Sequence, residues 1–149
     1  MNPGRGGQER PGNFMRNIRL SIEYDGTAYR GWQRQPNGPS IQGTLEEAIG
    51  KMTGETVAVI GAGRTDSGVH ALGQVANFRT ETRIPAENLH KGLNSILPPD
   101  IAVRDVADAD PSFHARYDAR RKVYFYRMIH RPWRPALLRN YAWHLRGSL

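Results

Sequence analysis

The spacing of hydrophobic residues changes in a regular order over the first two thirds of this 149-residue chain. Hydrophobic and polar residues alternate from Ile18 to Tyr24, which predicts a half-buried strand. The spacing then becomes helical, with Ser40 or Thr44 as the N-cap, Thr44 and Glu47 spaced as a capping box, and Gly54 at the end. One face of this predicted helix carries the hydrophobic residues Ile41, Leu45, Ala48, Ile49 and Met52.

Further predicted strands and a second predicted helix follow. Thr56–Ile60 and Gln74–Arg79 are predicted as strands, and the loop between them spans Gly61–Gly73. Pro85 is suited to open a second helix, because its fixed φ angle fits the first turn. The hydrophobic face of that helix consists of Ala86, Leu89, Leu93 and Ile96. Ile101–Val106 is predicted as a further strand.

The predicted order is therefore β-α-β-β-α-β, followed by a longer extra strand over Lys122–Ile129. This order is typical of a ferredoxin-like split βαβ sandwich, an α+β fold. We expect an antiparallel-rich sheet with helices on one face and the other face free. Residues 1–14 are rich in Gly, Pro and Arg and are predicted to form a disordered basic arm, so that the folded domain spans residues 15–149.

Composition excludes several classes of protein. The chain has no cysteine, which removes disulfides, thiolate zinc sites, iron–sulfur clusters and cysteine nucleophiles and fits a reducing, cytoplasmic location. No hydrophobic run approaches the roughly 20 residues of a membrane span. The five histidines do not cluster at ligand spacings, so we predict no metal site, and we expect His70 to bond within its own loop.

Positive charge is concentrated near the end of the sequence. Between Phe113 and Arg146 there are nine basic residues and one acidic residue, whereas the rest of the chain has 12 basic and 13 acidic residues. Eight of the nine are arginine, whose planar guanidinium suits phosphate, and eight aromatic residues are interspersed. Such a segment fits looped or single-stranded RNA, in which bases stack and phosphates need neutralising. A solvated basic surface over ordinary core aromatics is the other interpretation.

The segment Gly61–His70 is the strongest candidate for chemistry. Its three glycines within eight residues permit a tightly shaped loop between two predicted strands. Neither the dinucleotide fingerprint nor the P-loop pattern fits it. It holds one carboxylate, Asp66, and Arg64 nearby favours the ionised form that a nucleophile needs. The alternative is structural: Asp66 would bond amides of its own loop, with Arg64 as a tether.

This loop resembles the signature of the tRNA pseudouridine synthase A (TruA) family. The matching residues are Gly63-Arg64-Thr65-Asp66-Ser67-Gly68-Val69-His70. Further similar blocks follow in the family's order and span about residues 15–138. They are Glu23-Tyr24-Asp25-Gly26, Tyr29 to Gln35, Ser40 to Glu46, Leu93 to Val103, Phe113-His114-Ala115-Arg116, and Lys122 with Tyr124 and Tyr126.

The resemblance implies a cofactor-free isomerase that converts uridine to pseudouridine in the anticodon stem-loop of tRNA. Asp66 matches the family's nucleophile, Arg64 the arginine that pairs with it and replaces the flipped base, and Tyr124 the tyrosine that stacks on that base. The candidate RNA contacts are Tyr124, Arg30, Arg34, Arg116, Arg121 and Lys122.

The family also sets expectations about assembly. Its members are longer, with two similar α+β halves around the catalytic cleft, and they form homodimers. This chain matches the first half only, so we expect an N-terminal domain that needs the second half for catalysis. A non-enzymatic basic RNA-binding module and a self-associating structural domain are the alternative functions.

Overall fold

The computed structural model describes residues 14–146. The predicted arm therefore lies outside the described residues, apart from Phe14. The chain divides into two compact units at the Ala119–Arg120 boundary, and each unit is described by itself.

The first unit is an α+β fold with one four-stranded sheet and two helices. Along the chain its elements are β1 (Arg16–Tyr24), α1 (Ile41–Thr53), β2 (Ile60–Gly61), β3 (Ala71–Thr80), α2 (Ala86–Ile96) and β4 (Ile101–Ala109). The strands lie in the order β2-β3-β1-β4, and every neighbouring pair is antiparallel. This arrangement has the predicted element order and is compatible with the split βαβ class.

The core lies between the sheet and the two helices. Ile18, Leu20 and Ile22 of β1 are fully buried, as the period-2 pattern predicts. They belong to one hydrophobic cluster with Leu45 of α1 and Leu93 of α2, so both helices cover the same face of the sheet. Of the predicted α2 face, Leu89 and Leu93 are buried, whereas Ile96 at the last turn is exposed.

The opposite face of the sheet is covered at one end. Asn77 is buried there, and its side chain donates to Asn17 Oδ1 and accepts from the Ala115 amide. The Asn17 amide group in turn donates to the Asp110 and Phe113 carbonyls. The expectation that this whole face is free is therefore wrong. The side chains of Asn17 and Asn77 hold residues 110–115 against it by hydrogen bonds.

Helix α1 begins one turn before Thr44. The Ser40 hydroxyl accepts a hydrogen bond from the Gly43 amide at 3.0 Å, and Gly54 ends the helix in the left-handed region at φ 76°. Thr44 lies inside the helix, where its hydroxyl donates to the Ser40 carbonyl. The predicted Thr44–Glu47 capping box is therefore wrong, because Ser40 already caps the helix.

We expect Ser40→Ala to lower the free energy of unfolding by about 1 kcal/mol, because the Gly43 amide loses its acceptor. Thr44→Ala is the matched control and should change stability by less than about 0.5 kcal/mol. Urea denaturation of both variants measures the difference. An equal loss in the two would contradict the assignment of Ser40 as the cap.

The predicted strand over Thr56–Ile60 is shorter in the structure. Only Ile60 and Gly61 pair with β3, at Asn77 and Ala76. The preceding residues are bonded to α1 instead: the Val59 amide donates to Glu46 Oε2, and the Val59 carbonyl accepts from Gln42. Side chains of the helix thus take the backbone groups that a strand partner would use.

The second unit contains a small parallel sheet of β5 (Met128–His130) and β6 (Trp143–Leu145). The longer strand predicted over Lys122–Ile129 is wrong, since residues 122–127 are not in a strand. No strand among residues 14–146 pairs with them, and a strand exists only where a partner completes its hydrogen bonds. The alternating side chains of Val123 to Tyr126 are exposed.

Candidate active site

The loop over residues 62–70 packs against the segment that follows β1. Gly61, just before the loop, packs against the Trp32 ring so closely that a Cβ at Gly61 would lie 2.6 Å from the ring. Trp32 is buried, and its ring centroid lies 6.3 Å from that of Tyr24. The Ala62 amide donates to Val75 of β3 at 2.8 Å. Two aromatic side chains and strand β3 therefore fix the beginning of the loop.

Thr65 is held from two sides. Its carbonyl accepts from the Trp32 amide at 3.0 Å, and its hydroxyl lies 2.9 Å from the Tyr24 hydroxyl. Gly31 makes this approach possible, because its φ is +95° and a Cβ there would lie 2.6 Å from the Thr65 carbonyl oxygen. The residue just before Asp66 thus has a fixed backbone and a fixed side chain.

Asp66 starts a tight turn. Its carbonyl accepts from the Val69 amide at 3.1 Å, and Gly68 at the third position has φ +80°, as a type II turn requires. The turn is bonded to Tyr29, whose carbonyl accepts from both the Ser67 hydroxyl and the Gly68 amide. The backbone of Asp66 therefore sits in a braced turn.

The Asp66 carboxylate itself is exposed. Among residues 14–146 it makes no hydrogen bond and no ion pair. The structural alternative, in which Asp66 bonds amides of its own loop, is therefore not the arrangement found. A solvated carboxylate on a fixed backbone is an available nucleophile or base.

Arg64 is also exposed, and its guanidinium does not lie within ion-pair distance of Asp66. The pairing expected between these two side chains is absent from the described part of the chain. Two exposed charges on one loop gain little from pairing in water, where holding both side chains costs conformational entropy.

His70 bonds outside its own loop, contrary to expectation. Its Nδ1 accepts a hydrogen bond from the Gly26 amide at 2.9 Å, and the same atom lies 3.3 Å from Asp25 Oδ1. Gly26 is separated from the end of β1 by Asp25 alone, so the histidine joins the end of the loop to the segment that follows that strand. Its acceptor role could not be read from the sequence, because the Gly26 amide is 44 positions away.

Two tyrosines beside the loop stay protonated. Burial raises the pKa of Tyr24, although its hydrogen bond with Thr65 acts in the opposite direction. Burial also raises the pKa of Tyr29, and the hydrogen bond that it donates to Asp100 and the negative charges of Asp100 and Asp25 add to the effect. Both hydroxyls therefore remain available as donors that brace the site.

The structure places the predicted RNA contacts in both units. Arg30 lies on the segment that packs against the loop, and its side chain lies close against Gly38. Arg34 pairs with the buried Glu46 of α1, so part of its charge is neutralised within the protein. Arg116 is exposed in the first unit. The predicted contacts of the second unit are likewise exposed: Arg121, Lys122 and Tyr124.

Sequence reasoning assigned no role to the residues that brace the loop. These residues are Tyr24, Trp32 and Gly31, and all three lie in blocks that resemble the family. Their contacts with Thr65 join distant parts of the sequence, so no local pattern shows them. The one available signal was the glycine spacing, since Gly26 and Gly31 both approach loop carbonyls too closely for a Cβ.

No group of three or more potential metal ligands occurs within residues 14–146. Neither helix in the described part of the chain is long and apolar enough to cross a membrane.

Comparison with known proteins finds relatives of one family. The family model described as tRNA pseudouridine synthase matches residues 20–118, which include the loop and the segment that braces it. The tRNA pseudouridine synthase A of Caldicellulosiruptor bescii is 58% identical over 130 residues, covering 87% of this chain and 53% of the relative. That of Geotalea daltonii is 53% identical over 135 residues, covering 91% of this chain and 55% of the relative.

The chain belongs to the tRNA pseudouridine synthase family, because the family model covers well over half of it. It spans about half the length of the curated relatives that it matches.

Proposed function

We propose that the protein containing this chain isomerises uridine to pseudouridine in the anticodon stem-loop of tRNA, with Asp66 as the nucleophile. The observation that carries the proposal is an exposed carboxylate that has no partner among residues 14–146, on a backbone held by bonds at Thr65, Ser67, Gly68 and Val69. Membership of the family supports the reaction class, and the named relatives are tRNA pseudouridine synthases.

The reaction needs no redox partner. The carboxylate attacks the nucleoside, at C1′ of the ribose or C6 of the base, and the N1–C1′ bond breaks. The uracil rotates, a C5–C1′ bond forms, the bond between the carboxylate and the nucleoside breaks, the proton leaves C5 and N1 gains one. A carboxylate suits this sequence because it can add, leave again and return unchanged.

The target base must leave its stack before Asp66 can reach it. Flipping costs a few kcal/mol, which aromatic stacking and cationic contacts can offset. In our proposal Tyr124 stacks on the extruded base and Arg64 takes its place in the RNA stem. Both side chains are exposed, as contact with RNA requires. The proposal also includes a homodimer, taken from the family resemblance, and a cytoplasmic location, which the absence of cysteine fits.

The experiment that tests the proposal uses tRNA labelled with tritium at uridine C5. Isomerisation releases tritium to water, whereas binding alone does not. The full-length protein is expected to release it, and the variant argued in the Discussion assigns the nucleophile. A protein that binds tRNA and releases no tritium would instead be a non-enzymatic RNA-binding module.

The exposed basic residues should make RNA binding depend strongly on salt. We expect the affinity of this chain for a tRNA stem-loop to fall about tenfold or more between about 50 and 200 mM salt. Neutralising Arg121 and Lys122 together to glutamine should reduce the salt slope, because both side chains are exposed in the second unit. Fluorescence anisotropy at several salt concentrations measures the slope.

The matched control removes two positive charges elsewhere. Lys51 and Lys91 lie on the helices and are exposed, so replacing both with glutamine should leave the slope nearly unchanged. Equal slopes in the two double variants would show that net charge, rather than the second unit, governs binding.

A further inference from the structure

His70 makes a hydrogen bond that none of the proposed catalytic roles uses. Its Nδ1 lies 2.9 Å from the amide nitrogen of Gly26, a buried residue in the segment just after β1. The amide hydrogen points at the ring nitrogen, so the ring accepts the bond. A buried amide without an acceptor is unfavourable, and this bond therefore ties the end of the loop to β1.

Next to the bond between His70 and Gly26, the backbones of Gly26 and Val69 are in close contact. A Cβ on Gly26 would lie 2.0 Å from the Val69 carbonyl oxygen, so the strand end and the loop are already in contact there. The amide of that same Val69 donates to the Asp66 carbonyl. From the Gly26 amide the connection therefore passes through His70 and Val69 to the backbone of Asp66.

The opposite end of this turn has its own anchor. Thr65 is held by Trp32 and Tyr24, as described above. Asp66 thus lies between the Thr65 anchor and two sets of bonds on its C-terminal side. The Tyr29 carbonyl accepts from Ser67 and Gly68, and His70 adds the bond to Gly26. Loss of the His70 bond leaves the bonds to Trp32, Tyr24 and Tyr29 intact, so the loop stays attached while the C-terminal end of the turn that carries the carboxylate gains freedom.

The tautomer of His70 follows from the direction of its bond with Gly26. Asp25 Oδ1 lies 3.3 Å from the same Nδ1 and already accepts from the Thr27 amide and the Thr27 hydroxyl. If Nδ1 carried a proton, it would donate to Asp25 and leave the Gly26 amide without an acceptor. The bond from the Gly26 amide requires an unprotonated Nδ1, and in a neutral ring the proton is then on Nε2.

We propose that His70 is a positioning residue for the reaction: as the Nε2–H tautomer it holds, through Val69, the turn that aims Asp66 at the nucleoside. This inference rests on the proposed function. A positioning role predicts a loss of kcat with little change in KM, because the carboxylate acts after the RNA has bound.

The test compares three substitutions in tritium-release assays of the full-length protein. His70→Ala should lower kcat about 10- to 100-fold with KM within about twofold. Asparagine places its amide oxygen near the position of Nδ1 and glutamine near that of Nε2. His70→Asn should therefore restore kcat to within about threefold of the parent, and His70→Gln should remain as slow as the alanine variant.

His90→Ala is the matched control. The His90 ring bonds the Val103 carbonyl at 2.8 Å, between α2 and β4, and has no contact with the loop in the described residues. Its loss also removes a bond between a histidine ring and the backbone, one that the ring donates, and should leave kcat unchanged. Equal losses of kcat in the alanine variants of His70 and His90 would overturn the proposal.

Two further outcomes separate this inference from the proposed function. If Asp66→Asn is inactive while all His70 variants keep the parental kcat, the positioning role fails and the function stands. Nitrogen-15 NMR of the histidine rings in mildly alkaline buffer gives an answer without any activity assay. An Nε2–H tautomer for His70 supports the proposal, and an Nδ1–H tautomer overturns it.

Discussion

Asp66→Asn is expected to reduce pseudouridine formation by the full-length protein about 10⁴-fold or more, which is the scale seen when a nucleophile is removed. The amide has nearly the same shape as the carboxylate but cannot form the covalent bond to the nucleoside. Because the Asp66 side chain has no partner within residues 14–146, the substitution breaks no internal contact. Stability and RNA affinity should therefore stay close to those of the parent. Tritium release and anisotropy measure the two effects separately.

Glu47→Gln is the control for Asp66→Asn. Glu47 is exposed on α1, so its substitution changes the net charge by the same amount at a distance from the loop. It should leave tritium release unchanged. Full activity of Asp66→Asn would exclude this carboxylate as the nucleophile, and equal losses in both variants would point to an effect of overall charge.

Among substitutions outside the reacting groups, Gly31→Ala should cause the largest losses of stability and of kcat. The backbone conformation at φ +95° is costly for alanine, by roughly 1–2 kcal/mol. The new methyl group would also lie 2.6 Å from the Thr65 carbonyl oxygen, which is backbone and cannot rotate away. Crowding of this kind adds typically 1–3 kcal/mol, and displacing Thr65 also moves Asp66. We expect a total loss of about 2–5 kcal/mol in the free energy of unfolding and about 100-fold in kcat.

Gly54→Ala separates the cost of the backbone conformation from the cost of crowding. Gly54 also has a positive φ, 76°, but no atom lies within 4 Å of the position of its Cβ. Its substitution carries the backbone cost alone, so stability should fall by about 1 kcal/mol and kcat should not change. Urea denaturation and tritium release give both numbers for each variant. If the two alanine variants match in both measurements, the contact between Gly31 and Thr65 does not shape the site.

The sequence predicts the features of this fold that depend on neighbouring residues. The alternation from Ile18 to Tyr24 corresponds to β1, and the helical spacing between Ser40 and Gly54 corresponds to α1. These predictions succeed because burial on one face of a strand or helix is visible as a period in the sequence. Asp66 and Arg64 were found because their loop is unusual in composition and resembles a known signature.

Other features depend on partners that no local pattern reveals. The segment before β2 has the composition of a strand, but Glu46 and Gln42 take the backbone groups of Val59. The alternation over Lys122–Ile129 likewise fails to give a long strand, because no described strand pairs with residues 122–127. His70 illustrates the same limit within the site, since its partner lies in a different part of the sequence.

The bonds that shape the loop join residues that are far apart along the chain. Tyr24 and Thr65 are separated by 41 positions, Gly26 and His70 by 44, and Tyr29 and Ser67 by 38. Such long closures carry an entropy cost that is recovered only when both ends are already in place. The pairing of β1 with β3 already brings these segments together, so the sheet, rather than the loop, bears most of this entropy cost. An isolated peptide of residues 61–70 would contain every signature residue and none of this preorganisation.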